Sequence, residues 1–195
     1  MDSPHATPPP SGLAILGGSF DPPHVAHLLA ASYVLATGDV SEVLVAPAFE
    51  HAFGKRMAPF EERLELCRRC FADLARVTVS ALEAELPRPN YTVRLLERLR
   101  ADAPGRPLRL VIGSDVLAET SAWFEYERVL ALAPPLVLAR VGHERPGLGP
   151  AVLPDVSSTR VRELLARREE PEAARELAGL VPRRVLEHIA AAGLY

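Results

Sequence analysis

One stretch constrains this chain more than any other: Gly17-Gly18-Ser19-Phe20-Asp21-Pro22-Pro23-His24-Val25-Ala26-His27. An apolar run, Leu13-Ala14-Ile15-Leu16, leads into it and reads as a buried strand. Two glycines then allow a tight turn and a close approach to a ligand with no Cβ in the way. One of the two prolines can occupy the first turn of a helix, where its missing N–H costs nothing. That helix is expected to run from Val25 to about Ala36. His24 and His27 are three apart and share a face of its first turn. The N–H groups there are unpaired and the helix dipole is positive. Strand, glycine turn and helix start together make a phosphate site, with two imidazoles beside it as hydrogen-bond donors. A zinc reading of His-x-x-His lacks a third and fourth ligand at the usual spacing.

The rest of the chain repeats the alternation of strand and helix. Apolar runs at 43–46, 77–80, 108–112 and 136–140 read as strands, and 151–153 as a short sixth. Helices are expected at 61–71, from Val93 to about Arg100, through 123–130, from Ser157 or Ser158 onward, and from Pro182 to Gly193. Asn90 or Thr92 is the expected cap of the second of these, and a serine hydroxyl that of the fourth. Such alternation predicts an α/β fold, a Rossmann-like doubly wound parallel sheet with a small C-terminal helical region from about residue 157. Ligands of such sheets bind beyond the carboxyl ends of the strands, where the strand order reverses. Residues 1–11 form a proline-rich tail, and 12–195 a single domain.

Several function classes are excluded on composition and motif. With 24% charged residues and a net charge of −3, no general attraction to nucleic acid is expected. No apolar run reaches membrane-spanning length, and the first residues lack the pattern of a secretory signal, so a cytoplasmic protein is expected. Cys67 and Cys70 sit mid-helix beside Leu64 and Phe71 and read as core packing. The Gly-x-Gly-x-x-Gly of dinucleotide-binding dehydrogenases and the Gly-x-x-x-x-Gly-Lys of P-loop enzymes are both absent.

Two further clusters carry chemistry. Val156-Ser157-Ser158-Thr159-Arg160-Val161-Arg162 offers hydroxyls, free N–H groups and a guanidinium fork at a helix start, all suited to phosphate oxygens. The third cluster joins Asn90-Tyr91-Thr92, Gly113-Ser114-Asp115 and Trp123-Phe124. In this order the motifs resemble the GSFDPxHxGH and ISSTxxR signatures of the nucleotidylyltransferase superfamily. The third cluster and the ending Gly193-Leu194-Tyr195 are similar to its nicotinate mononucleotide adenylyltransferase branch, more than to pantetheine-phosphate adenylyltransferases. The resemblance spans residues 13 to 195. It departs at Ala26, where the family has Gly, and at 48–60, where His51-Ala52-Phe53-Gly54-Lys55 replaces Pro-Pro-His-Lys.

That resemblance implies adenylyl transfer from ATP to nicotinate mononucleotide, with Mg2+ carried by the ATP and no dedicated metal site. The alternative is a sensor that binds the same nucleotides without turnover; intact His24, His27 and Arg162 favour the enzyme. These three are the implied catalytic residues. Gly18, Ser19, Phe20, Gly113, Asp115, Arg140, Ser157, Ser158 and Thr159 complete the implied ATP site. Asp21, Lys55, Tyr91, Thr92, Trp123 and Phe124 are the implied mononucleotide contacts, with backbone N–H groups at a helix start near Trp123 meeting the nicotinate carboxylate. No nucleic-acid or membrane partner is expected, and a homo-oligomer is compatible with the sequence.

Overall fold

The computed structural model describes residues 12–50, 54 and 56–195. Five parallel strands, β1 (Gly12–Gly18), β2 (Val40–Pro47), β3 (Val77–Val79), β4 (Leu108–Gly113) and β5 (Pro135–Leu138), form one sheet in the order β3-β2-β1-β4-β5. The chain winds outward from β1 to β3, returns to pair β4 with β1, and winds outward again to β5. The sheet is thus doubly wound, and its order reverses between β1 and β4.

Alternation along β1 explains the two cores. Ala14 and Leu16 point to one face; Leu13 and Ile15 point to the other. The first face is covered by α1 (Val25–Thr37), α2 (Phe60–Phe71), α5 (Ser158–Leu165), α6 (Pro171–Leu180) and α7 (Arg183–Ala192). The second is covered by α3 (Thr92–Asp102) and α4 (Tyr126–Leu132). Both faces of β1 are dry, as a parallel sheet requires. Helix α1 meets the sheet through Ala26, Ala30, Ala31 and Val34, small side chains that permit a close approach. Cys67 and Cys70 are free and buried in the first core; burial pushes both thiols up, Cys70 to about 12, so they pack and do not react at neutral pH.

Four local expectations are corrected, and one helix is added. The prolines lie ahead of α1, whose N-cap is His24. Tyr91, not Asn90 or Thr92, is the N-cap of α3, and no side chain caps it. Among the described residues there is no sixth strand; Leu153 makes only an isolated bridge to Arg140. Trp123 and Phe124 are not helical, because Glu125 adopts a left-handed conformation (φ 51°) and α4 starts after it. Helix α6 was not anticipated: it begins at Pro171 and buries only Ala173 and Leu177, a stripe too narrow to stand out in the sequence.

Candidate active site

The first element of the site is the end of β1. Gly17 and Gly18 stay extended, and a Cβ at Gly17 would meet nothing within 4 Å, so its role is to leave open space at the strand end. The left-handed residue of the turn is Phe20 (φ 48°), uncommon for a bulky side chain. Its ring is buried and packs on His27 at 4.7 Å and edge-on to Phe71 at 6.4 Å. His24 and His27 then lie ring against ring at 3.9 Å, tilted by 32°. The His24 backbone N–H donates to His27 Nδ1 at 3.2 Å. That bond makes Nδ1 an acceptor, so the neutral ring carries its proton on Nε2. Burial pulls the His24 pKa down to about 4, with the Arg140 charge acting the same way. Burial, then His24, then Arg140 hold His27 well below its ordinary value. Both imidazoles are neutral at pH 7.

Residues far apart in sequence converge on the turn after Phe20. Ser158 Oγ donates to the Pro22 carbonyl at 2.9 Å across 136 positions. Arg162 Nη1 donates to the Asp21 carbonyl at 2.5 Å, and Nη2 to Thr159 Oγ1 at 3.2 Å. Ser157 caps α5 by accepting from the Arg160 N–H. The start of α5 and the start of α1 are therefore fastened together, which joins the two motifs into one polar surface. From α2, the buried Arg63 also ties down this turn, donating to the carbonyls of Ser19 (2.7 Å), Ala58 (3.0 Å) and Phe49 (3.3 Å).

Across the switch point, Ser114 and Asp115 follow β4 and Arg140 follows β5. Arg140 pairs with the Asp115 carboxylate and donates to the Val156 carbonyl at 2.9 Å, while its Nε is buried without a partner among the described residues. A Cβ at Gly113 would lie 2.3 Å from Asp115 Oδ1, so glycine is required for that carboxylate to fold back over the strand end.

Between these elements lies a cleft of about 940 Å³. Its lining includes Gly18, Ser19, His27 and Arg140, and also Tyr91, Thr92, Trp123 and Phe124, with Gly113 and Asp115 on the wall as well. Tyr91 stacks on Phe124 at 4.4 Å, and Trp123 meets Tyr126 edge-on at 6.0 Å. The Trp123 N–H is taken by the Thr120 carbonyl at 3.1 Å, so the expected free donor of a helix start is not there. Phe20, Asp21, His24, Ser157, Ser158, Thr159 and Arg162 lie off the cleft lining, in the network next to His27. Lys55 lies outside the described residues, as do His51, Ala52 and Phe53.

The sequence profile of the cytidylyltransferase-like family matches residues 15–164. A protein of Anaeromyxobacter dehalogenans (strain 2CP-C) described as "Probable nicotinate-nucleotide adenylyltransferase" is 50% identical over 186 residues, 94% of this chain and 96% of its own. A protein of the same description from Anaeromyxobacter sp. (strain K) is 48% identical over the same shares. The chain belongs to the nicotinate-nucleotide adenylyltransferase family. In fold it is similar to a Plasmodium falciparum nicotinic acid mononucleotide adenylyltransferase solved in complex with NaAD. The TM-score is 0.79 at 17% identity, over 95% of this chain and 97% of that one.

In this member of the nicotinate-nucleotide adenylyltransferase family, two features of the site escaped the sequence. Arg63 sits on the buried stripe of α2 with Leu66, Cys67 and Cys70, a placement the spacing could have signalled. Glu83, in the 3-10 turn Leu82–Glu85, is buried on the cleft wall; burial raises its pKa to about 7, and its Oε2 has no partner among the described residues. Asp21, expected to touch the mononucleotide, is instead buried, accepting from the Ala58 N–H at 3.2 Å and the Tyr195 hydroxyl at 2.7 Å. Ala26, the departure from family pattern, is buried and reaches the cleft wall without breaking the packing of α1.

Proposed function

We propose that the chain transfers the adenylyl group of ATP to nicotinate mononucleotide, yielding nicotinate adenine dinucleotide and pyrophosphate, a step of NAD biosynthesis in the cytoplasm. The observation that carries this reading is the junction of α1 and α5 at Asp21-Pro22, beside a cleft with an aromatic far end. A phosphate surface at one end and stacking rings at the other match a substrate pair of triphosphate and pyridine nucleotide.

In this reaction a phosphate oxygen of the mononucleotide attacks the α-phosphorus of ATP. The bond to the bridging oxygen breaks, and pyrophosphate leaves with that electron pair. The nucleophile is already ionised, so no general base is required; what remains is alignment and charge stabilisation. Neutral His27 donates from Nε2 toward the α-phosphate, and His24 stands beside it. Arg162, Ser158 and Thr159 hold the outgoing phosphates. Gly18, Ser19 and Phe20 shape the turn around them, and Arg140, oriented by Asp115, supplies fixed positive charge. Tyr91, Thr92, Trp123 and Phe124 take the mononucleotide, with Lys55 as a further phosphate contact.

Magnesium enters as the ATP complex and spreads the phosphate charge. No group of three or more His, Cys, Asp or Glu among the described residues is arranged to hold a metal ion, and an ion that keeps most of its waters suits a substrate-borne role. The test is product analysis with Mg-ATP and each pyridine mononucleotide in turn. Formation of pyrophosphate and nicotinate adenine dinucleotide is the expected result; nucleotide binding with no product would replace the enzyme by a sensor.

A further inference from the structure

Helix α7 ends at Gly193, which adopts the left-handed conformation (φ 64°) that favours glycine. The N–H groups of Gly193 and Leu194 both return to the Ile189 carbonyl, and this turn sends the chain back over the first core. Arg168 donates to the Tyr195 carbonyl at 3.3 Å and steadies the segment. The Tyr195 phenol thereby reaches Asp21 Oδ1 at 2.7 Å, 174 positions away.

The same carboxylate is close to a residue of the phosphate surface. Its Oδ2 lies 3.7 Å from Arg162 Nη1, too long for a hydrogen bond. The guanidinium donates instead to the Asp21 carbonyl and to Thr159. A buried carboxylate beside an arginine tends to draw it into a two-toothed pair. An arginine held that way has spent its donors and its charge. Here Oδ1 is already occupied by the Tyr195 hydroxyl and the Ala58 N–H, which fix the carboxylate and keep it out of a two-toothed pair with Arg162.

We propose that Tyr195 is a positioning residue for ATP: its hydroxyl holds the Asp21 carboxylate so that Arg162 remains available to the triphosphate. The inference rests on the adenylyl-transfer reading above for the role of Arg162. Burial, reinforced by the bond to Asp21, pushes the phenol pKa up, so the hydroxyl remains a donor at every working pH.

Tyr195→Phe keeps the ring and removes only the hydroxyl. It is expected to raise the KM for ATP about fivefold to tenfold and to leave the mononucleotide KM within about twofold. The Tm should fall by about 2–4 °C, as for one lost hydrogen bond in a chain of this size. In an Asp21→Asn background the same change should move the ATP KM by less than about twofold, because no carboxylate remains to be restrained. A merely structural tyrosine would shift Tm alone, or both KM values together, or act equally in both backgrounds; each of these results overturns the proposal. Calorimetric titration with ATP keeps the two readings apart. Wild-type protein that makes no dinucleotide sinks the proposed function, whereas ATP binding weakened about fivefold by Tyr195→Phe still upholds the role of Tyr195.

Discussion

The two regions beside the cleft are built in different ways. The region proposed to take the phosphates, here the phosphate end, is a knot of hydrogen bonds between distant segments: Ser158 to Pro22, Arg162 to Asp21, Arg63 to Ser19, Tyr195 to Asp21. His24 is buried and His27 reaches the cleft wall, and their shifts both run toward neutrality. The base end is held by ring contacts and 3-10 turns, with Phe124 nearly half exposed and Glu83 Oε2 and Asn90 Oδ1 unpartnered among the described residues. A phosphate surface must be rigid before the substrate arrives, since its value lies in fixed donors. A stacking site tolerates adjustment, since a ring face is recognised by area more than by angle.

The comparison is broken most directly at the phosphate end. Arg162→Ala should lower kcat/KM by about 10²–10³ while leaving the fold intact, because its side chain is more than one-third exposed and contributes little to stability. Steady-state kinetics beside a thermal melt check this; a collapsed Tm would mean that Arg162 is a strut and not a phosphate ligand. At the base end, Trp123→Ala should raise the KM of either pyridine mononucleotide about tenfold and leave the ATP KM nearly unchanged. Wild-type protein should still prefer nicotinate to nicotinamide mononucleotide by at least about tenfold, since the Thr92 hydroxyl on the cleft wall can donate to the anion. Equal efficiency with both would reject this assignment of the base pocket.

The smallest effect concerns Glu83. Its pKa of about 7 lies above the ordinary carboxylate value of 4.5, because burial disfavours the charge. The native state therefore binds the extra proton between these limits. The stability it confers is complete below about pH 4.5 and is lost as pH rises through 7. Glu83→Gln removes the titration and replaces an unpartnered acceptor by a donor. The Tm of the variant relative to wild type should be roughly 2–5 °C higher at pH 8 than at pH 5. A pH-independent difference would show that Glu83 titrates as an ordinary carboxylate.

Much of the phosphate end was readable in the chain because its chemistry lies in short strings. Gly17 to His27 and Ser157 to Arg162 each carry their donors within one short run of chain at a helix start. The doubly wound sheet was readable for a similar reason: each strand is a compact apolar run. The bond between Asp21 and Tyr195 was not readable, because Tyr195 stands at the far end of the chain and no local pattern pairs a carboxylate with a phenol 174 positions away. Trp123 and Phe124 read as helix because the left-handed Glu125 that separates them from α4 has no signature of its own. Helix α6 hid behind the charged run 167–170 and a stripe of two buried residues.

The central claim is that a neutral His27 stabilises charge at the α-phosphate in the transition state without being needed to bind ATP. His27→Ala tests it through two quantities measured together, kcat with nicotinate mononucleotide and the dissociation constant for ATP. The account predicts a fall in kcat of about 10²–10³ with ATP affinity changed by no more than about threefold. A kcat within about threefold of wild type, or a loss of turnover matched by an equal loss of ATP binding, would contradict it.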